Sequence, residues 1–382
     1  MSSPLTHLGD LSVQDFLRDY WQKKPLLVRG AFADFVSPLD GDELAGLALE
    51  EEAESRLIFE HGENPWELWR GPFTEEQFAE LPPSHWTLLV QAVDQWVPEV
   101  RDLLQRFRFL PDWRLDDVMV SYAPDQGSVG PHFDYYDVFL LQGPGKRRWR
   151  IGQRCDDSTP CRDDTPLKIL TNFETEQEWL LEPGDLLYIP PGVAHWGIAE
   201  GECLTYSIGF RAPSHGEILS EVGAEIADTL SDALRYGDGD LTLHANPGYI
   251  DPNAITQLQK ILQRHLTPEN LLRWFGGYMT EPKYPELEYQ PDYVYSPEDW
   301  HNDEAVLERH PAARFAYSPQ DDEQSLLFVD GLAYPCPLPL AQHLCAHWEF
   351  EGAVLKALQA QSDPDDLVTQ LINQGALVLL GD

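Results

Sequence analysis

The stretch that decides the fold runs from Gly130 to Ile151, GPHFDYYDVFLLQGPGKRRWRI, and is followed by PGDLLYIPPGVAHWG at 183–197. Both segments place short apolar and aromatic runs on either side of Gly/Pro turns, which is typical of strands. DVFLLQ and RRWRI flank Gly143-Pro144-Gly145-Lys146, which predicts a hairpin, and a second turn is expected at Pro183-Gly184. Many short strands joined by such turns predict a mainly β double-sheet jelly roll, also called a double-stranded β-helix.

Strand patterns continue on both sides of that stretch. Residues 118–122 and 204–210 alternate so that apolar side chains fall on one face of each segment. Upstream, Ser12 is positioned to cap a short helix, and Pro25 predicts an extended run, PLLVRG. Residues 86–97 mix helix and strand signals, so both assignments stay open.

The periodicity changes from strand to helix after Pro213. Two apolar stripes at helical spacing predict two amphipathic helices: Val222, Ile226, Leu230 and Leu234, then Ile255, Leu258, Ile261, Leu262 and Leu266. Thr267-Pro268 predicts the start of a third helix, which Gly276 is expected to end. Further on, Asp330-Gly331 predicts a hairpin between SLLFV and LAYPC, followed by helices near 341–350 and 365–373.

At 382 residues the chain exceeds what one hydrophobic core usually supports. We therefore expect two or three packed units, and the changes in pattern place them as a mainly β domain at 1–214, an α-helical middle region at 215–290 and a small α+β unit at 291–382.

The charge balance restricts the class of partner. With 26 Lys and Arg against 65 Asp and Glu, the formal net charge is −39 at pH 7, which disfavours a protein that grips nucleic-acid phosphates. The same acidity suits a basic protein partner, and it equally suits plain solubility or a salty cytoplasm. Five cysteines without a CxxC pair, no signal-like N-terminus and no membrane-length apolar run lead us to expect a cytoplasmic protein without membrane association.

His132-Phe133-Asp134 is the candidate metal motif. On a strand, positions i and i+2 share one face with α-carbons about 7 Å apart, so imidazole and carboxylate can converge on one ion. His195 lies 195 − 132 = 63 residues later, after the turn Ile189-Pro190-Pro191-Gly192, and can supply the third ligand. Such a set leaves open positions that suit non-haem Fe(II), a chelating keto acid and dioxygen. An HxD triplet is common by chance, and its setting in a sheet with a distal histidine favours the metal site.

These segments resemble the core of JmjC oxygenases of the cupin fold, specifically their bacterial ribosomal-oxygenase branch. The resemblance rests on the two segments quoted first and on YSIGFRAP at 206–213, with YWQKKPLLVRGAF at 20–32 and WTLLVQAVDQWVPEV at 86–100. It covers residues 10–214 closely. Over the remainder it is weaker and implies a helical dimerisation region and a C-terminal winged-helix-like unit.

The resemblance makes His132, Asp134 and His195 the iron ligands. It makes Arg147 the cation that pairs with the distal carboxylate of 2-oxoglutarate. Many relatives have lysine there, and arginine keeps the charge and can bind bidentately. A surface arginine within KRRWR is the alternative.

Period-2 alternation sends Arg147 to the opposite strand face from Lys146 and Arg148, which favours Arg147 as the inward residue. Ser121 and Ser207 match small polar positions that line the co-substrate pocket of relatives. Each could equally be an ordinary strand residue.

Tyr135, Tyr136 and Asp137 follow the metal motif and are candidate substrate contacts, with Asp137 as a hypothesised receptor for a guanidinium. The alternatives are core or rim packing for the tyrosines, and a strand cap or a bond to Arg148 for Asp137. Asp116-Asp117 has loop-like surroundings and indicates a solvated turn.

His343 and His347 have a spacing that can bind zinc on a helix, but without further ligands the pair is expected to be structural.

The resemblance implies a homodimeric protein hydroxylase that uses Fe(II), 2-oxoglutarate and dioxygen to 3-hydroxylate an arginine of a large-subunit ribosomal protein. A JmjC demethylase of methylated lysine or arginine is one alternative. A non-catalytic cupin or DNA-binding regulator is the other, and the few Lys and Arg among many acids in 291–382 disfavour direct DNA binding.

Overall fold

The structure, a computed structural model, describes residues 3–60, 65–285, 289–302, 304–359 and 366–380. The chain divides into two compact units, Met1–Ala212 and Pro213–Asp382. The three-part division at 1–214, 215–290 and 291–382 stays a prediction. Among the helices of the described ranges, none has the length and apolar character needed to cross a membrane.

The first unit is built around two antiparallel sheets. Its strands are β1 (His7–Leu8), β2 (Leu11–Ser12), β3 (Leu26–Val28), β4 (Ser55–Glu60), β5 (Pro65–Arg70), β6 (Trp86–Val90), β7 (Leu115–Ala123), β8 (Val138–Gln142), β9 (Lys146–Arg154), β10 (Thr175–Leu181), β11 (Leu186–Ile189), β12 (Val193–Glu200) and β13 (Cys203–Phe210). Its helices are α1 (Val13–Asp19), α2 (Gly41–Leu47), α3 (Glu75–Ala79) and α4 (Pro98–Arg106). A large sheet has the order β3-β11-β8-β13-β7-β6-β4-β5, and a small sheet has the order β10-β9-β12. The predicted mainly β jelly roll is confirmed.

The hairpin predicted at Gly143-Pro144-Gly145-Lys146 is wrong. β8 pairs with β11 and β13 in the large sheet, whereas β9 pairs with β10 and β12 in the small sheet. The turn therefore carries the chain from one sheet to the other. Gly145 has φ +78°, and a Cβ there would lie 1.9 Å from the carbonyl oxygen of Glu202, so only glycine fits. The turn at Pro183-Gly184 returns the chain from β10 to β11 in the same way.

The two faces of the large sheet have different environments. On the outer face, Val118, Val120, Tyr206 and Ile208 pack in the largest core with side chains of α1, α2 and α4. On the inner face, alternate residues point towards the small sheet, and residues of both sheets form a second apolar cluster: Val138, Leu140, Trp149, Ile151, Leu181, Leu187, Ile189 and Val193. The functional residues described below lie on these inner faces.

Several upstream predictions can be checked directly. Ser12 caps α1 by accepting a hydrogen bond from the Asp15 backbone N–H, and PLLVRG contains β3. The ambiguous segment at 86–97 contains β6 and then a 3₁₀ turn at Val93–Gln95. The prediction of a solvated turn at Asp116-Asp117 is wrong, because both residues belong to β7 and Asp117 is buried.

The second unit has a helical part and an α+β part. Its helices are α5 (His215–Thr229), α6 (Pro252–His265), α7 (Pro268–Thr280), α8 (Pro297–Trp300), α9 (Leu338–Ala346), α10 (Gly352–Leu358) and α11 (Leu367–Asn373). Its strands are β14 (Val306–Arg309), β15 (Phe315–Pro319), β16 (Gln324–Val329), β17 (Leu332–Pro337), β18 (Glu349–Glu351) and β19 (Leu377–Leu380). They form two three-stranded sheets, β18-β14-β19 and β15-β16-β17. The hairpin predicted at Asp330-Gly331 is confirmed between β16 and β17, and both turn residues have positive φ.

Three helix ends in this unit differ from the predictions. The first stripe is shorter than expected, because α5 ends at Thr229 and Leu234 lies beyond it. Gly276 does not end α7, which continues to Thr280. The glycine instead serves packing: a Cβ there would lie 2.3 Å from the Phe328 ring, so its absence lets that ring lie against the helix. The segment 341–350 contains the end of α9 and part of β18 rather than one helix, and residue 365 lies outside the described ranges.

Candidate metal and co-substrate site

The structure brings His132, Asp134 and His195 together. The two histidines form an isolated antiparallel bridge, with backbone hydrogen bonds of 3.0 and 2.8 Å in the two directions. The Asp134 carbonyl accepts a 2.7 Å hydrogen bond from the N–H of Gly192 in the turn before His195. Potential ligand atoms of the three side chains all lie within 4.8 Å of one another, and no other such group occurs in the described part of the chain.

Both imidazoles are oriented for metal binding. His132 Nδ1 lies 2.9 Å from the Gly130 carbonyl, and His195 Nδ1 lies 3.0 Å from the Val193 carbonyl. A carbonyl can only accept, so each Nδ1 carries a proton, and Nε2 is the ring nitrogen that each histidine can offer to a metal. Burial, with a smaller effect of His132, lowers the pKa of His195 to about 4, so His195 is neutral at neutral pH. Two imidazoles and a carboxylate fit a non-haem Fe(II) ion.

Arg147 is buried in the same space and has almost no internal partner. It lies on the inner face of β9, where its Nη1 donates a 3.3 Å hydrogen bond to Ser121 Oγ. Its Nε and Nη2 groups have no hydrogen-bond partner, and no carboxylate of the described residues lies within 4.0 Å of it. A buried guanidinium without a protein counter-charge is costly, so the surroundings of Arg147 fit an anionic ligand.

The neighbouring cations face the other way, as strand alternation predicts. Lys146 pairs with Glu182, and Arg148 pairs with Glu178 and Glu200, all on the outer face of the small sheet. Arg147 is therefore the inward cation of the KRRWR segment.

Trp149 lies between Arg147 and the metal group. Its ring centroid is 5.9 Å from that of His195 and 6.0 Å from the Arg147 guanidinium carbon. The strand opposite has Gly197, where a Cβ would lie 2.7 Å from the indole, so the ring packs flat on backbone. The Trp149 Nε1–H is buried without a partner. Unpaired donors therefore line the space from Arg147 towards His195, as expected for a pocket that takes a carboxylate ligand.

Comparison with known proteins agrees with this geometry. The chain matches the JmjC domain over residues 102–218 and the ROXA-like winged helix over 257–378. It is 39% identical over 292 residues to the ribosomal protein uL16 3-hydroxylase of Escherichia coli K12, covering 75% of this chain and 77% of that protein. The chain belongs to the JmjC ribosomal oxygenases. This confirms the resemblance, the cupin fold and the winged-helix-like C-terminal unit.

Solved structures of E. coli YcfD are similar to this ribosomal oxygenase over nearly the whole chain. An X-ray structure of YcfD has a TM-score of 0.87 and 33% identity, covering 98% of this chain and 100% of that one. A complex of YcfD with cobalt and 2-oxoglutarate has a TM-score of 0.84 and 32% identity, covering 98% and 99%. A probable ribosomal oxygenase of Haemophilus influenzae is 41% identical over 60% of this chain and 54% of its own length.

The two predicted pocket serines of this ribosomal oxygenase lie on the inner face of the large sheet. Ser121 is buried and contacts Arg147 directly. Ser207 is buried on the adjacent strand β13, where its neighbours Tyr206 and Ile208 point to the outer core. Their positions are compatible with the predicted role in lining the co-substrate pocket.

The structure contradicts the hypothesis that Asp137 receives the substrate. Its side chain is 0% exposed, and its carboxylate accepts hydrogen bonds from the Tyr188 hydroxyl at 2.6 Å, Arg114 at 2.9 Å and Gln22 at 3.0 Å. Burial raises its pKa, which these three donors partly offset. Asp137 thus anchors the segment after α1 to the jelly roll, and it does not bind Arg148.

The two tyrosines after the metal motif occupy different positions. Tyr135 is 53% exposed, with its ring against Phe133 and the Lys168 ammonium 5.9 Å from its centroid. Tyr136 has an exposed ring, but burial of its hydroxyl end raises its pKa, and the carboxylates of Asp134 and Asp117 raise it further. The Tyr136 hydroxyl therefore points towards the metal group.

Asp117 is the site residue that the sequence reasoning missed. It is buried on β7, and its two carboxylate oxygens accept hydrogen bonds of 3.0 and 2.8 Å from Gln91 Nε2. Val118 and Val120 point to the outer core, so Asp117 shares the inner face with Met119 and Ser121. The same alternation was visible in the sequence and could have placed Asp117 beside the site.

Proposed function

We propose that this chain is an Fe(II)- and 2-oxoglutarate-dependent hydroxylase of a large-subunit ribosomal protein, with an arginine side chain as its target. One observation carries the proposal: a buried guanidinium without a counter-charge lies beside a group of two histidines and one carboxylate. That pairing fits a dicarboxylate held at one end by a cation and at the other by a metal.

His132, Asp134 and His195 would hold the iron and leave its remaining positions open. Bound iron and 2-oxoglutarate supply the oxidation of an unactivated C–H bond by dioxygen, with succinate and carbon dioxide as co-products. The backbone bridge between the two histidines fixes their separation before the ion arrives. Preorganised ligands of this kind reduce the cost of ordering the site.

Arg147 would bind the distal carboxylate of 2-oxoglutarate through its two unpaired N–H groups, while Ser121 orients the guanidinium. Arg147 pairs with Ala199 and His195 with Ile151 across the small sheet, so their α-carbons are four strand positions, about 13 Å, apart. A five-carbon dicarboxylate can bridge the gap that the two side chains leave. Trp149 is buried beside Arg147 and would exclude water from the bound co-substrate.

The substrate assignment rests on the relatives and on charge. The similar E. coli protein is named for 3-hydroxylation of ribosomal protein uL16, and we extend that substrate class to this chain. A guanidinium that enters the jelly-roll mouth needs a carboxylate and an aromatic face to replace its water. Asp117 and Tyr136 offer both beside the metal group, so they replace Asp137 as the proposed receptor.

The helical region is proposed to form a homodimer. Within one chain the second stripe stays exposed, with Ile255, Leu258 and Leu262 each about half accessible to solvent. An apolar stripe of this kind is stabilised when a symmetric partner covers it.

A ribosomal substrate also fits the expected cytoplasmic location. The acidic C-terminal unit fits a role other than DNA binding.

Mass spectrometry tests the proposed function. Purified protein, Fe(II), 2-oxoglutarate and recombinant uL16 are expected to give a shift of about +16 Da on one arginine-containing peptide, from insertion of one oxygen atom. His132→Ala is the matched inactive control. Loss of about 14 Da from a methylated peptide would instead identify a demethylase. If no ribosomal protein shows either mass change, the proposal is refuted.

A further inference from the structure

A second cavity lies on the outer face of the large sheet, opposite the metal site. It has a volume of about 300 Å³. Leu88 and Trp86 of its lining belong to the outer core, and Tyr122 packs against that core, whereas its neighbour Ser121 faces Arg147 on the inner side. The cavity is therefore separate from the co-substrate pocket, and its size suits one side chain rather than a large cofactor.

Aromatic rings form its walls. The rings of Trp86 and Tyr122 lie 5.6 Å apart at 44°, and Phe78 contributes a third ring. Trp86 is held by a 2.6 Å hydrogen bond from its Nε1 to the Pro82 carbonyl. Tyr122 lies directly on the backbone of Gly41, where a Cβ would be 2.6 Å from the ring. These contacts fix the walls before any ligand binds.

The polar part of the lining carries only negative charge. Asp40, Asp42 and Glu202 line the cavity, and among the described residues no lysine or arginine does so. Asp40 is engaged as the cap of α2, where it accepts a hydrogen bond from the Glu43 N–H. Asp42 and Glu202 form no ion pair within the described ranges. Burial raises the pKa of Tyr122, a hydrogen bond between its hydroxyl and Glu202 raises it further, and the negative charges of Glu202 and Asp42 add to this, which places both carboxylates near the hydroxyl.

We propose that this cavity is a second docking site for the basic protein substrate and that it binds an arginine side chain distinct from the one that is hydroxylated. Aromatic faces attract a cation, and the carboxylates of Asp42 and Glu202, which have no cationic partner among the described residues, can pair with it. Arginine fits better than lysine, because a planar guanidinium stacks on an indole or phenol and binds a carboxylate bidentately. Such a site would increase the affinity for a folded substrate by adding a second contact to the one at the iron.

This inference rests on the proposed function for the identity of the partner, while the preference of the cavity for a guanidinium can be measured without turnover. The test uses Asp42→Asn combined with Glu202→Gln, which keeps side-chain shape and removes two charges. Glu52→Gln combined with Asp102→Asn is the matched control, since both residues are exposed, lie outside the cavity and change the net charge equally.

In the first experiment, ligand-observed NMR follows binding of arginine amide and lysine amide to the full-length protein. We expect millimolar binding of arginine amide to the wild type and the control, weaker binding of lysine amide, and at least fivefold weaker arginine binding to the cavity variant. Equal arginine binding by all three proteins would overturn the site. A preference for lysine amide would overturn the guanidinium assignment.

In the second experiment, the KM for full-length uL16 is compared with the KM for a short peptide around the hydroxylated arginine. The cavity variant is expected to raise the uL16 KM about five- to tenfold and to leave kcat and the peptide KM unchanged. An equal rise of the uL16 KM in the control would show that the effect depends on overall charge alone, and it would overturn the docking role. If wild-type protein hydroxylates neither substrate, the proposed function fails, and the NMR titration still decides the cavity.

Discussion

Removing the buried charge of Arg147 is predicted to preserve or increase the stability of the protein and to weaken its binding of 2-oxoglutarate. Arg147→Met keeps the length of the side chain and removes its charge. Without co-substrate, the wild type carries a buried cation with one hydrogen bond to Ser121 and two unpaired N–H groups. We therefore expect the variant to leave the free energy of unfolding of the metal-free protein unchanged or to raise it by up to about 2 kcal/mol.

Binding of 2-oxoglutarate should change in the other direction. The variant loses two charge-assisted hydrogen bonds to a carboxylate, which together contribute about 2 to 4 kcal/mol. This corresponds to a roughly 30- to 1000-fold weaker affinity. The affinity of Arg147→Lys for 2-oxoglutarate should lie between those of the wild type and Arg147→Met, because lysine keeps the charge and lacks the planar guanidinium group.

Both quantities are accessible in one set of assays. Chemical denaturation gives the free energy of unfolding, and calorimetric titration of 2-oxoglutarate into Co(II)-loaded protein gives the affinity without turnover. Arg148→Met is the control, since Arg148 faces outward and pairs with Glu178 and Glu200. A variant at position 147 that is several kcal/mol less stable and binds 2-oxoglutarate normally would show that Arg147 is a structural residue.

Four further predictions concern the metal, pH, the substrate and assembly. His132→Ala should abolish succinate formation and metal binding measured by chelator competition, and full turnover in added iron would contradict the ligand assignment. The pKa of His195 is lowered from 6.5 to about 4, so between these pH values His195 is protonated only in the unfolded chain. The free energy of unfolding of the metal-free protein should therefore fall by on the order of 3 kcal/mol as pH decreases from 6.5 to 4. Urea denaturation should show a shallower pH slope for His195→Gln, and equal slopes would refute this. Asp117→Asn should raise the KM for uL16 about tenfold with unchanged 2-oxoglutarate affinity, and normal uL16 kinetics would exclude it as receptor. Wild-type protein should be a dimer by light scattering and Leu262→Asp a monomer, whereas a wild-type monomer would end the dimer proposal.

Local alternation explains why part of the site could be predicted from the sequence. Strand alternation separates Arg147 from Lys146 and Arg148 in β9. His132 and Asp134 do converge as expected, although His132 forms only an isolated bridge and Asp134 lies outside any strand. These relations need no knowledge of which strands pair. The helix start at Ser12 is equally local, because a cap depends only on the first turn.

Pairing between distant strands could not be predicted in this way. A Gly-Pro-Gly turn between two apolar strands is compatible with a hairpin and with a crossing between sheets, and only the partners of β8 and β9 decide between them. Sequence proximity also misled the choice of receptor. Asp137 lies three residues after Asp134 yet is enclosed by Tyr188 and Arg114, whereas the proposed receptor Asp117 lies on β7, distant in sequence from the motif.

The crossing between the two sheets at Gly145, where a hairpin was predicted, affects function directly. If β8 and β9 formed a hairpin, Arg147 would lie in the same sheet as Ser121 and the two side chains would stand side by side on one face. Because the chain crosses at Gly145, Arg147 instead faces Ser121 across the gap between the sheets, with its guanidinium enclosed on both sides. A cation in that position is shielded from water and can bind a carboxylate strongly. The crossing turns therefore create the co-substrate pocket, and the side chains on the facing sheets determine what it binds.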